Sequence, residues 1–237
     1  MQRELELCAE TLQACEAANA GGADRIELCA ALTEGGVTAG VGFLRETIAA
    51  STIPVHALVR PRSGNFVYSA AEFRMACADA EMALSLGAAG IVVGTLTADD
   101  AVDQAQTAEL IRIANGRPVT FHRAFDLARD LHESLRVVID LGCSRVLTSG
   151  GQPTVMQGLE MLVELTEMAA GRIRIAAGGG VSLQNAPLLA QVPGLDLHGS
   201  FRRKPKTEDV HDVLWQQGEA RVEVEDVRAV AELMHRA

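Results

Sequence analysis

The chain has 237 residues, more than one average domain of about 150 and within the span of a single barrel or α/β domain. Hydrophobic residues make up 48% and charged residues 22%, which excludes disorder, collagen and a disulfide scaffold and marks a globular protein with a full core. With 21 Lys and Arg against 31 Asp and Glu, the formal net charge of -10 lacks the basic face that nucleic-acid phosphates or an anionic membrane require, so neither is an expected partner.

The chain starts Met1-Gln2-Arg3-Glu4-Leu5-Glu6, with acids where a secretory signal needs a basic and then apolar run. No apolar stretch approaches the roughly 20 residues of a membrane span. A cytoplasmic location is expected. The cysteines Cys8, Cys15, Cys29, Cys77 and Cys143 are odd in number and spread through a chain long enough to fold without staples, so reduced thiols are expected.

An amphipathic stretch, a Gly, a few polar residues and a short β-branched run recur as a unit. Ala18–Leu28, Leu84–Val93 and Ile139–Leu147 carry it most plainly. The Gly suits the left-handed residue just past a helix, and the run after it suits a buried strand. The same search predicts strands at Glu4–Cys8, Arg25–Cys29, Pro54–Arg60, Gly90–Thr95, Pro118–Arg123, Arg145–Ser149, Arg172–Ala177 and Leu195–Gly199. Every gap is long enough for a crossover helix, which implies parallel βαβ units. Eight such units in one α/β domain over residues 1–237 specify a TIM (β/α)8 barrel, with an open doubly wound sheet as the alternative. The long loops Ala30–Gly42 and Pro61–Ser69 follow strands and so fall on the C-terminal face, where barrels build their sites. The stretch Arg202–Thr207 is basic and irregular, and a helix near Asp226–His235 closes the chain.

Residues two apart share a face of a strand. This parity turns Glu6 and Cys8, Glu27 and Cys29, His56, Leu58 and Arg60, Thr120 and His122, and Asp196 and His198 toward the barrel interior, with Leu5, Leu7, Ile26 and Leu28 facing the helices. Barrel interiors are ordinarily Val, Ile and Leu, and buried unpaired charges cost several kcal/mol, so these ionisable groups need partners or a ligand. For Glu6, His56 and Asp196 the structural alternative is a ring of mutual salt bridges. Arg60, Arg62, His122 and Arg123 at the strand ends read as a site, since guanidinium groups hold carboxylate or phosphate through paired hydrogen bonds. Ala177–Ser182, containing Gly179 and Gly180, and His198-Gly199-Ser200 offer backbone amides after strands seven and eight, where many barrels bind phosphate. A tight turn into the next helix is the alternative there. Cys8 and Cys29 each sit two residues beyond an inward glutamate on neighbouring strands, a pairing that suits Cu(I), with Zn(II) as a competitor. Two small buried hydrophobes are the plainer reading of the same pair, and Cys15, Cys77 and Cys143 read as core.

Several strings resemble one family. They are Gly22-Ala23-Asp24-Arg25-Ile26-Glu27-Leu28-Cys29, Glu34-Gly35-Gly36, Ile53-Pro54-Val55-His56 with Arg60-Pro61-Arg62, Val119–Asp126, and Arg145-Val146-Leu147-Thr148-Ser149-Gly150. Together they resemble the CutC copper homeostasis family over about residues 5–200, leaving 201–237 as tail and closing helix. The resemblance implies a TIM barrel, a cytoplasmic location and a tie to copper tolerance. It also implies Cys8 and Cys29 as the pair suggested for Cu(I), an arginine pair at Arg60 and Arg62, and a Phe-His-Arg-Ala-Phe-Asp motif at Phe121–Asp126. The chain departs from the family in the loop after strand three, where Arg62-Ser63-Gly64-Asn65-Phe66 carries Asn65 in place of the usual Asp. At the end of strand eight, His198-Gly199-Ser200 stands for the more usual His-Ser-Ser.

Three functions follow as expectations. One is a cytoplasmic Cu(I)-binding protein using Cys8 and Cys29 as metal ligands. Another is an enzyme on a small phosphorylated or carboxylated metabolite. Arg60, Arg62 and Arg123 would clamp the anion with Ser149, Gly179, Gly180, His198 and Ser200, and Glu27, His122 and Asp126 would act as the catalytic acid and base set. A third is a scaffold with an idle barrel mouth. Assembly of identical copies is compatible with each.

Overall fold

A computed structural model describes residues 2–203 and 221–236. Eight parallel strands close on themselves in chain order, the TIM (β/α)8 barrel that the alternating pattern predicts, and the open sheet is excluded. They are β1 (Leu5–Ala9), β2 (Arg25–Leu28), β3 (Val55–Leu58), β4 (Gly90–Val93), β5 (Val119–Phe121), β6 (Arg145–Thr148), β7 (Arg174–Ala177) and β8 (Leu195–Gly199). The surrounding helices are α1 (Leu12–Gly21), α2 (Val41–Ala50), α3 (Ala70–Ser85), α4 (Gln104–Ala114), α5 (Leu131–Leu141), α6 (Leu159–Ala169), the single turn α7 (Ala186–Leu189) and the closing α8 (Val224–His235).

Local chemistry sets these boundaries. Gly22 (φ 81°) and Gly142 (φ 93°) end α1 and α5 in the left-handed conformation that the recurring unit predicts. Ser69 and Glu72 form a capping box at the start of α3. The observed strands stop two residues short of the predicted ends at Arg60, Thr95 and Arg123, because those residues turn into the loops of the mouth. Arg202–Arg203 (β9) pairs antiparallel with Arg221–Val222 (β10), and residues 204–207 of the basic stretch lie outside the described residues. Among the described residues no helix is long and apolar enough to cross a membrane.

Parity divides the strands as expected. Leu5, Leu7, Ile26 and Leu28 join the core between barrel and helices, whereas Cys8, Cys29, Leu58 and Val92 form a separate small apolar cluster inside the barrel. Following the register around the barrel stacks the inward residues in layers drawn from alternate strands. From the N-terminal end these are Arg25, Gly90, Arg145 and Asp196; then Glu6, His56, Thr120 and Ala176; then Glu27, Val92, Leu147 and His198; then Cys8, Leu58, His122 and Gly178.

The floor of this interior is charged and internally paired. Arg145, 1% exposed, bonds Glu4 and Asp196, the latter at 2.9 Å, and Arg174 reaches Asp196 at 2.6 Å. Arg25 meets Glu6 at 2.5 Å. Glycines make room for the imidazoles above. A Cβ on Gly90 would lie 2.5 Å from His56 Nδ1, one on Gly94 2.2 Å from His122 Nδ1, and one on Gly178 3.1 Å from His198 Cδ2.

Burial, followed by the charge of Arg25, lowers the pKa of His56 from 6.5 to about 3. A depressed histidine contributes stability that is whole above pH 6.5 and is lost as the pH falls toward 3, because the unfolded chain takes the proton first. Over pH 6 to 4, the unfolding free energy of the wild type should therefore fall more steeply than that of His56→Gln, by about 1.4 kcal/mol per pH unit. Urea titrations at stepped pH measure this, and parallel slopes would contradict the assignment.

Candidate functional site

Glu6 is fully buried and organises the interior. Its Oε2 takes Arg25, and its Oε1 accepts from His198 Nδ1 at 2.8 Å. Burial works against its charge, but Arg25, His198 and Arg145 together hold its carboxyl well below the usual range. For His198 the balance runs the other way. Burial disfavours its charge, and Glu27 together with the Glu6 hydrogen bond overcomes this and raises its pKa above 6.5. Glu6 and Glu27 thus favour the protonated form of His198, which is fixed in place by its bond to Glu6.

Glu27 stands above this pair. Burial is the largest influence on it and raises its pKa, since His198 and the Cys8 hydrogen bond only partly offset the loss of water. Cys8 Sγ donates to Glu27 Oε1 at 3.3 Å, while Glu27 Oε2 is buried with no hydrogen-bond partner. The Cys8 and Cys29 sulfurs lie 3.6 Å apart inside the barrel, as the matching positions on β1 and β2 predict. The thiol contact with Cys29, then burial, pushes the Cys8 thiol well above 9. Because Cys8 pairs with Glu27, Cys29 lies two residues further along its strand. That offset puts the Cα atoms about 8 Å apart, beyond disulfide reach.

Two donor sets could hold a metal. The facing thiols of Cys8 and Cys29 fit a soft ion such as Cu(I), since two bonds of about 2.3 Å span their separation with a small rotation of either side chain. Cys8, Glu27 and His198 bring one donor atom each to within 4.8 Å of one another, a mixed set suited to a borderline divalent ion.

His122 lies across the barrel, its ring filling the space above Gly94 and 4.9 Å from the Phe66 ring. Its Nδ1 accepts from the Ala124 N–H at 3.1 Å, and its Nε2 is buried without a partner. Burial and the charge of Arg60 lower its pKa to about 3, so it is neutral at physiological pH.

The three arginines of the expected clamp are engaged by the protein. Arg60 is 5% exposed and donates to the carbonyls of Glu34, Gly36 and Gly64, pinning the loop after β2 to the loop after β3. Arg62 bonds Glu72 at 2.5 Å, Asn65 Oδ1 at 3.0 Å and Val67 O at 2.9 Å. Asn65 thus supplies a neutral brace for that loop. Arg123 pairs with Asp126 at 2.8 Å and bonds Ser149 Oγ, yet its side chain remains 41% exposed over the backbone of Gly179. Asp126 is a structural tie. Its two oxygens accept from Arg123, Thr148 Oγ1, the backbone and hydroxyl of Ser149 and the Gly151 N–H, and so order the loop after β6. Gly180 O accepts from Asn185 Nδ2, and Ser200 follows β8 half-buried at the same end.

Sequence reasoning missed Arg25 and Arg145. Both share inward parity with residues it did place, so the alternation already carried the signal. Phe66 and Tyr68, which stack with Arg60 and Arg62 at 4.9 and 5.2 Å, come from a loop without periodicity and left none.

The CutC family model matches residues 3–203. A CutC family protein of Chromobacterium violaceum is 45% identical over 203 residues, covering 85% of this chain and 82% of the relative. One from Bacteroides thetaiotaomicron is 43% identical over 209 residues, covering 86% and 83%. The crystal structure of CutC from Streptococcus agalactiae has a TM-score of 0.79 at 32% identity, covering 84% of this chain and 98% of that one.

Removing the charge of Glu6 leaves Arg25 and His198 buried without their partner. The Glu6→Gln variant should lose about 3 to 5 kcal/mol of stability in urea. Its His198, followed by NMR, should titrate at lower pH than in the wild type. An unchanged His198 titration would show that Glu6 does not hold the imidazolium.

Proposed function

This chain belongs to the CutC family, and from its barrel interior we propose that it is an enzyme that moves a proton on a small anionic metabolite held at the C-terminal mouth. The observation that carries this reading is Glu27 Oε2, a buried carboxyl oxygen without a partner at the C-terminal end of a barrel strand. A purely structural glutamate would have both oxygens paired, as those of Asp126 and Asp196 are. A catalytic base needs one oxygen free for the substrate.

Each neighbour has a part. The thiol of Cys8 orients Glu27 through Oε1. His198, held by Glu6, lies beside the carboxyl and is biased toward its positively charged form. Arg123, the most exposed of the three mouth arginines, takes the anionic end of the metabolite, with the backbone of Gly179 and Gly180 and the hydroxyls of Ser149 and Ser200 around it. Arg60 and Arg62 fix the loops that wall the site. A cytoplasmic protein with reduced thiols accords with this assignment.

A second reading is favoured by one distance, the 3.6 Å between the Cys8 and Cys29 sulfurs, which suits Cu(I) capture. The Streptococcus agalactiae relative is described as a candidate copper homeostasis protein, in keeping with that reading. Cu(I) would be held by the two thiols and would supply tight binding of a soft cation in place of their protons.

Phosphorylated and carboxylated metabolites incubated with the protein in D2O, and followed by proton NMR, test the first reading. Exchange of one C–H should depend on the protein and fall at least about 100-fold in Glu27→Gln with its urea midpoint still that of a folded chain. Exchange with no metabolite, or equal exchange by Glu27→Gln, would overturn it. For the second reading, anaerobic Cu(I) titration against a competing chelator should show one tight site that disappears when Cys8 and Cys29 are both replaced by Ser. Undiminished affinity in that variant would remove the copper assignment.

A further inference from the structure

Proton transfer by Glu27 leaves His122 without a task. It is a costly residue to place where it stands, with its ring seated in space that Gly94 must leave open and one nitrogen buried without a partner. The Ala124 N–H, 3.1 Å from Nδ1, fixes the tautomer, because Nδ1 must offer its lone pair and the ring proton must then sit on Nε2. The unpartnered atom is therefore an N–H donor. This arrangement disfavours a metal at Nε2, since the proton would have to shift to Nδ1 and face the Ala124 N–H.

The register sets this donor opposite Glu27. His122 is on the strand-five side of the barrel, one layer nearer the mouth than Glu27 on β2, and both face inward. Both are buried, Glu27 4% and His122 5% exposed, so a small molecule that reaches Glu27 from the mouth passes the layer of His122 first. Phe66 packs on the His122 ring and carries the Arg60 guanidinium 4.9 Å from its own centroid, which sets a fixed positive charge close to the donor.

We propose that His122 is the hydrogen-bond donor to a carbonyl oxygen of the metabolite, so that the substrate is a carbonyl compound and the reaction an enolisation. This rests on the proton-transfer reading and narrows it. The Glu27 carboxylate forms an O–H bond to the proton on the carbon beside the carbonyl. The C–H bond breaks, its electron pair forms the carbon–carbon double bond, and the carbonyl π pair moves onto oxygen. That oxygen, now negative, takes the Nε2–H hydrogen bond of His122 within the field of Arg60. Return of the proton, or of a deuteron taken up from D2O, from Glu27 to the same carbon re-forms the C–H bond and the carbonyl and completes the step, with no oxidant or reductant. A neutral imidazole suits this task because it stabilises the developing oxyanion without giving up its proton.

Two measurements test this. The first needs no substrate: nitrogen-15 NMR of the imidazoles at pH 7 should show His122 neutral, with the proton on Nε2 and none on Nδ1. An Nδ1–H tautomer or an imidazolium overturns the proposal. The second divides the D2O exchange panel into carbonyl compounds, such as 2-oxo acids and phosphorylated ketoses, and saturated compounds of like charge. Exchange should be confined to the carbon next to a carbonyl. It should fall about 100- to 1000-fold in His122→Phe and recover in part in His122→Gln, which retains an N–H donor. Exchange that needs Glu27 but proceeds equally in His122→Phe, or that occurs on saturated compounds, overturns the role of His122 and leaves proton transfer by Glu27 standing. Exchange on neither half of the panel overturns both.

Discussion

The interior of this barrel depends on one carboxylate. Glu6 is buried where a barrel ordinarily carries Val, Ile or Leu, and it is tolerable only because Arg25 and His198 meet its two oxygens. Those partners are themselves buried, so each needs further polar company. Arg25 reaches Thr120 on the opposite side, and His198 lies beside Glu27. Beneath them Arg145, Asp196, Arg174 and Glu4 form a second paired group at the N-terminal end. An apolar core would have stabilised the barrel at least as well. What the ion pairs add is a floor of fixed charges under the mouth, and those charges set the protonation of the groups above.

Backbone sterics make this polar filling fit. Imidazoles are flat and wide, and a ring of eight full side chains has no place for three of them. Gly90, Gly94 and Gly178 withdraw a Cβ where a ring presses against a neighbouring strand. Burial and a nearby arginine lower the pKa of His56 and His122 to about 3, while Glu27 and Glu6 raise that of His198. One residue type is thus shifted in opposite directions within a single barrel, decided by which layer and which neighbour it meets.

Much of this was legible in the sequence. The alternation of short β-branched runs with amphipathic stretches specified eight parallel strands, and the period of two placed Glu6, Cys8, Glu27, His122 and His198 inside. Parity says which way a side chain points but not what its far end touches. Arg60 and Arg62, four and six residues beyond His56, read as free guanidiniums, yet Arg60 is taken by loop carbonyls and Arg62 by Glu72 of α3 and the Asn65–Val67 loop, partners that no pattern marks. Asp126 reads as chemistry because it follows His122 and Arg123 in a compact motif. Its saturation by the loop after β6 is a tertiary fact that only closure of the barrel creates. Arg25 and Arg145 went unplaced for a different reason, since a strand-leading arginine looks like a solvent-facing end even where the alternation turns it inward.

The two proposed roles, metal capture and proton transfer, meet at a single atom. Cys8 Sγ gives its proton to the hydrogen bond with Glu27 Oε1 and faces Cys29 Sγ on its other side. A thiolate bound to a soft cation has no proton to donate, so an ion held between the two sulfurs removes the one hydrogen bond that orients Glu27. It also sets a positive charge beside that carboxyl in place of a neutral thiol, and a nearby cation favours the carboxylate form. The deep burial of both sulfurs means that such an ion must enter through the same mouth as any metabolite. Under the two proposed readings, the two occupants would compete for both path and position.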